Sequence, residues 1–256
     1  PPRSTLFPYT TLFRSLIGFC RTNLFKRLES SGFSFLQSLE RHILRNQIYL
    51  YALDNNLDLP IGTLDAGLLD AGRLDEDSDS LTSEPEDLFD GLIEESSDDP
   101  SSQAETVYRQ YATEYRKRFK WISPRLFKKS LREHLAADVA ELQALLAHQG
   151  GWQPEQDQKM LQLRELVKRT HQKDKLLVFT QFADTARYLG RELAKAGIAH
   201  LAVATGATAD PYSLACRFSP RSNKAAIPKG EELRILICTD VLSEGQNLQD
   251  CAVVVN

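Results

Sequence analysis

Long apolar runs are missing from this chain of 256 residues. No stretch approaches the roughly 18 apolar residues that a membrane-spanning helix needs, so a membrane is not an expected partner. Cysteine is scarce too. The four present, Cys20, Cys216, Cys238 and Cys251, have neither metal-ligand nor paired spacing, which speaks against a zinc site and against a disulfide scaffold. Cys238 and Cys251 fall in β-rich runs and read as small buried hydrophobes. No G-x-x-x-x-G-K-[ST] occurs, which excludes cradling a triphosphate by that loop, and no Asp-Glu pair follows a strand-like run to hold Mg²⁺. The expectation is a cytoplasmic, mostly globular chain with no metal site and no catalytic residue of its own, in which the 42% apolar content suffices for one or two cores.

Charge is present in quantity but segregated. The net charge of -4 conceals an acidic, Ser-rich segment over 54–105, whose only basic residue is Arg73. Low hydrophobicity with like charge cannot offset ordering entropy, so this segment is expected to be a disordered linker or insertion. The region 106–156 that follows opens with the opposite character. Arg116, Lys117, Arg118, Lys120, Lys128 and Lys129 alternate with Tyr108, Tyr111, Tyr115, Phe119, Trp121 and Phe127. Two readings fit. The cations can neutralise phosphates of a nucleic acid, with the acidic neighbour competing for the same surface; or the aromatics at helical spacing form the core face of an amphipathic helix whose charges face water.

The amino-terminal residues raise a separate question. Pro1–Ser15 shows neither helical nor strand periodicity and lacks the design of a signal peptide. Its back-translation resembles a sequencing-library adapter, so 1–15 is set aside as an artefact. A helical module is expected over 16–53, with Phe25, Leu28, Phe35, Leu36, Leu39 and Ile43 on its buried side and Gly32 either tolerated at a cost or marking a bend. Helix continues from Ala136 to Arg169, punctuated by Gly150 and Gly151.

From Lys175 strand and helix alternate. KLLVFTQ, IAHLAVAT, LRILICT and CAVVV read as buried strands, with helices at FADTARYLGRELAKAG and PYSLACRF between them. That order implies an α/β fold, a parallel sheet with flanking helices, whose functional loops follow Thr180, Thr205 and Thr239 at the strands' carboxyl ends.

LLVFTQF and ILICTDVLSEGQNLQDCAVVVN resemble the fourth and fifth motifs of superfamily 2 helicases, in their second RecA-like lobe, over 157–256. The Ser-Glu-Gly-x-Asn form, Ser243 to Asn247, is similar to the Swi/Snf-like branch and to RapA-type translocases, and NLFKRLESS resembles a helical element that joins the two lobes there. The resemblance implies a nucleic-acid-dependent ATPase, a helicase or translocase, with DNA before RNA as partner. It implies that Thr239, Gln181, Phe182, Thr205 and Gly206 contact the nucleic-acid backbone, that Gly245 and Asn247 meet ATP, and that Asp240, Ser243 and Glu244 support the loop. Hydroxyl, amide and glycine suit these tasks, since they donate to phosphate oxygens or admit close backbone approach without reading sequence. ATP and Mg²⁺ would then serve the complete protein, together with an amino-terminal RecA-like lobe. The family's sixth motif, which supplies arginines, would follow Asn256, so a truncated and by itself inactive fragment is expected. Two other readings differ in class. One is a non-catalytic interaction module built on the acidic tract and the basic helix; the other, a flavodoxin-like nucleotide enzyme, is disfavoured because no phosphate loop follows Thr180.

Overall fold

A computed structural model describes residues 22, 24–63, 100–228, 230–242 and 247–256. The adapter-like segment, Cys20, most of the acidic segment, and Ser243, Glu244 and Gly245 lie outside the described residues. The chain divides into two units, one formed by Pro1–Leu36 with Trp152–Asn256, the other by Gln37–Gly151.

The first unit holds α1 (residues 24–30) and the start of α2 (Gly32–Asp54). The helices break at Ser31, which favours the bend of the two readings of Gly32, and close approach explains the glycine itself: a Cβ there would overlap the Trp152 ring. Phe25 and Leu28, expected on a buried face, are exposed.

The parallel sheet is built as its sequence pattern demands. Strands β3 (Leu176–Phe179), β4 (Leu201–Ala204), β5 (Ile235–Cys238) and β6 (Val253–Val255) stand in the order β4-β5-β3-β6, every pair parallel. The side-chain period of two sorts their residues onto opposite faces. Leu176, Val178, Ile235 and Ile237 meet Met160, Leu163 and Val167 of α5 (Gln158–Glu165, extended by a π turn to Thr170) and Ala186, Tyr188 and Leu193 of α6 (Ala183–Lys195). Leu177, Leu236 and Cys238 meet Phe218 of α7 (Pro211–Phe218) and Leu242. Burial on both faces explains why these strands read as unbroken apolar runs. Asp157 and Asp210 cap α5 and α7 by accepting from Met160 N (3.1 Å) and Ser213 N (2.9 Å). Cys238 is buried as expected, and burial pushes its thiol up to about 12; Cys251 precedes β6 instead of lying in it.

The second unit corrects the expected boundaries. Strand β1 (Leu59–Thr63) and helix α3 (Pro100–Thr113) both lie within or begin inside 54–105, where a linker was expected. The acidic, Ser-rich composition of the segment as a whole hid a five-residue strand at one end and the apolar face Ala104, Val107, Tyr108, Tyr111 starting at the other. The helix expected to carry Tyr108 through Phe119 ends at Thr113, and Phe119 arrives from a strand, β2 (Phe119–Ile122), antiparallel to β1. Its ring stacks on Tyr111 at 4.4 Å between centroids. Leu44, Ile48 and Ala52 of α2, at helical spacing, close this core from the other side. Helix α4 (Leu131–Gln149) ends at Gly150, whose φ of 71° suits glycine.

His42 sits in this unit beside Arg45 and Asp138. Burial, reinforced by the charge of Arg45 and opposed by Asp138, pushes its imidazole from 6.5 down to about 4. The unfolded chain therefore takes up a proton that the folded unit refuses. Stability conferred by neutral His42 is fully present above about pH 6.5 and falls away as pH drops towards 4. His42→Gln is expected to flatten that part of the pH profile, read as urea midpoints through Trp121, the tryptophan of this unit; an unchanged profile would contradict the assignment.

Candidate functional site

The strand register carries one residue past the sheet. Phe179, Cys238 and Ala204 are paired across β3, β5 and β4. The ladder then continues, with Thr180 N donating to Cys238 O (3.0 Å) and Thr239 N donating to Ala204 O (3.1 Å). Three threonines, Thr205, Thr239 and Thr180, so stand in a row along the carboxyl edge, where loops of open parallel sheets collect ligands. Thr205 and Thr239 are buried and Thr180 is half-buried.

Around this row the expected contact residues differ in access. Gln181 is exposed, two residues beyond the end of β3. Gly206 is exposed as well, and its loop is pinned by Thr205 N donating to Thr208 Oγ1 (2.8 Å) and Thr208 N donating to Thr205 O (2.9 Å). A Cβ on Gly206 would meet nothing within 4 Å, so packing inside the chain does not demand glycine there. Asp240 is exposed at the start of the turn after β5.

Phe182 requires a correction. Expected to contact nucleic acid, it is buried, and the guanidinium of Arg27 lies 4.7 Å from its ring centroid. It anchors the Thr180–Phe182 loop instead of offering a stacking face. Arg27 continues past the ring to Asp184, with Nη1 3.0 Å from Oδ2. Two serines reinforce the attachment. Ser34 Oγ lies 2.7 Å from Thr185 Oγ1, while Ser30 Oγ lies 2.9 Å from Thr185 Oγ1 and 3.3 Å from Thr180 Oγ1. Sequence reasoning missed this network because Arg27, Ser30 and Ser34 lie about 150 residues before their partners and no local pattern joins them.

Asn247 is also differently employed. Its Nδ2 donates to Ser222 O (3.0 Å) and its Oδ1 accepts from Gln249 N (3.3 Å), while Asn223 Nδ2 donates to Asn247 O (2.7 Å). Asp250 completes the clasp by accepting from Arg221 N (2.8 Å) and from the N–H (3.0 Å) and hydroxyl of Ser222. Burial raises the Asp250 carboxyl, but the Ser222 hydroxyl and the two backbone donors outweigh it and hold the group below the usual carboxylate range. The amide expected to face ATP thus fastens Asn247 to Ser222 and Gln249. Among the described residues no cluster of His, Cys, Asp or Glu suits a metal ion. Arg217 donates from Nε to Glu231 O (3.0 Å).

The first unit is thus an α/β lobe of RecA-like type, with a parallel sheet covered on both faces and a polar carboxyl edge. Residues 158–256 match the family model of the helicase conserved C-terminal domain. No curated protein matches the chain.

Proposed function

We propose that this chain is part of an ATP-dependent nucleic-acid translocase or helicase of superfamily 2, Swi/Snf-like branch, and that its lobe grips the sugar–phosphate backbone at the sheet's carboxyl edge. The observation that carries the reading is the helicase C-terminal match over a lobe whose edge aligns Thr205, Thr239 and Thr180 beside exposed Gln181 and Gly206. Hydroxyl, amide and backbone N–H groups in such a row hold phosphates in register without reading bases. Arg27, Phe182, Asn247 and Asp250 position the loops that do so. ATP turnover belongs to the complete motor, in which a second lobe supplies the phosphate loop; DNA is the favoured track.

The test is binding of labelled single-stranded and duplex DNA, and of RNA, by fluorescence anisotropy. Wild-type chain is expected to bind without sequence preference, more weakly as salt rises, and to show no ATPase. Gln181→Glu and Gly206→Asp, which put like charge beside the phosphates, are each expected to weaken binding about tenfold, the equivalent of losing one charge-assisted hydrogen bond. Unchanged affinity in both variants would overturn this placement of the grip.

A further inference from the structure

We propose that the second unit carries a phosphate-backbone site of its own, a basic strip over residues 115–132 that binds the same nucleic-acid polyanion; the choice of ligand rests on the helicase reading of the first unit. The strip holds eight basic residues and no acidic one. Arg116, Lys117, Arg118, Lys120, Lys128 and Lys129 are all exposed, and among the described residues none of these six forms an ion pair. A solvated helix face ordinarily interleaves both signs at i, i+4 spacing, as Glu105 with Arg109 does on α3. The strip departs from that rule.

The structure also separates the two readings of the aromatic residues. Tyr108, Tyr111 and Phe119 are core, and β2 alternates so that Lys120 points away from it. The half-buried aromatics form a base for the cations. Arg116 lies over the Trp121 ring at 5.2 Å and Arg118 over Tyr115 at 5.4 Å, and Trp121 Nε1 donates to Arg116 O (2.9 Å). Guanidinium groups held on ring faces lose less freedom when a phosphate arrives, and stacked Arg presents its outer N–H groups outward. Leu126, 79% exposed between Arg125 and Phe127, adds an apolar contact of the kind that lies against a sugar. The family match begins at residue 158, so nothing in it accounts for this surface.

The experiment uses the full chain with Lys117, Lys120, Lys128 and Lys129 all changed to Gln. These exposed lysines are spared from core packing, and Arg116 and Arg118 keep their ring contacts. Binding of a labelled DNA duplex is measured from about 50 to 300 mM salt, roughly the range over which phosphate contacts titrate. The slope of log K against log salt is expected to shrink by about 3.6 in magnitude, since each of the four lost phosphate contacts removes about 0.9 on duplex DNA. Affinity at the lowest salt should drop by at least about tenfold. An unchanged slope would overturn the strip. So would retained DNA binding with loss of binding only to vesicles containing phosphatidylserine. Gln181→Glu in the same assay separates the two proposals. Loss in that variant alone keeps the lobe's grip and discards the strip; loss in the lysine variant alone keeps the strip and discards the grip.

Discussion

Asp184→Ala is expected to destabilise the parallel-sheet unit by about 3–5 kcal/mol, the cost of removing one partner from a buried ion pair. Asp184 and Arg27 have side-chain exposures of 1% and 10%, so neither charge has water to fall back on. The carboxylate sits in the first turn of α6, where the helix dipole favours it, and the guanidinium covers Phe182. Without the carboxylate, Arg27 remains in a low-dielectric site with its main counter-charge gone. The double variant Arg27→Met, Asp184→Ala removes both charges and is expected to recover most of the loss, because an apolar pair of similar volume costs little in such a place. Urea unfolding followed through Trp152, in a Trp121→Phe background, isolates the unit concerned. A single-variant loss below about 1 kcal/mol, the range of exposed pairs, would show that the pair is solvated in solution. Because Thr180 and Phe182 belong to the same network, DNA binding should weaken along with stability.

That network marks the limit of what could be read before the fold was known. The four strands and the helices between them are legible because each signal is local: short apolar runs bounded by polar residues, and amphipathic stretches between them. Segmentation is not. The apolar periodicity of 24–54 runs on with only a break at Ser31, and a helical face does not declare which core each turn joins; here Leu36 belongs with the sheet and Gln37 with the other unit. Phe119 shows the same ambiguity. Its spacing from Tyr111 and Tyr115 suits a helix, yet the helix stops at Thr113 and the ring reaches the same core from β2.

At the site, residue types were legible and partners were not. Threonines at strand ends followed from topology, and the register confirmed that they line up. The family resemblance implies contacts of Phe182 and Asn247 with nucleic acid and ATP, whereas Arg27 and Ser222 hold them within the chain. Those partners come from α1 and from the loop after α7, and only the assembled lobe brings them near.

Gly190→Val is expected to destabilise the parallel-sheet unit by about 3–4 kcal/mol. Gly190 lies within α6, where alanine in place of glycine would ordinarily stabilise by about 1 kcal/mol. A Cβ here, however, would overlap Cγ2 of Val203 in β4, with Val203 Cβ at 3.8 Å. Valine is stiff at χ1 and its methyl belongs to a strand bonded along β5, so it cannot swing aside as a long side chain would. Either helix and strand separate or the strand shifts, and both disturb the packing of Leu201 and Val203 against the core. Overpacking of this kind costs about 1–3 kcal/mol for one methyl, which exceeds the propensity gain; Gly190→Ala should lose about 1–2 kcal/mol and Gly190→Val about 3–4 kcal/mol. Val203→Ala supplies the control, because it clears the space the new methyl needs. Gly190→Ala combined with Val203→Ala should be at least as stable as Val203→Ala alone, so the alanine changes sign with its neighbour. If Gly190→Ala instead raised the urea midpoint in the parent chain, helix propensity would be the larger effect and the close approach of α6 to β4 would be disproved.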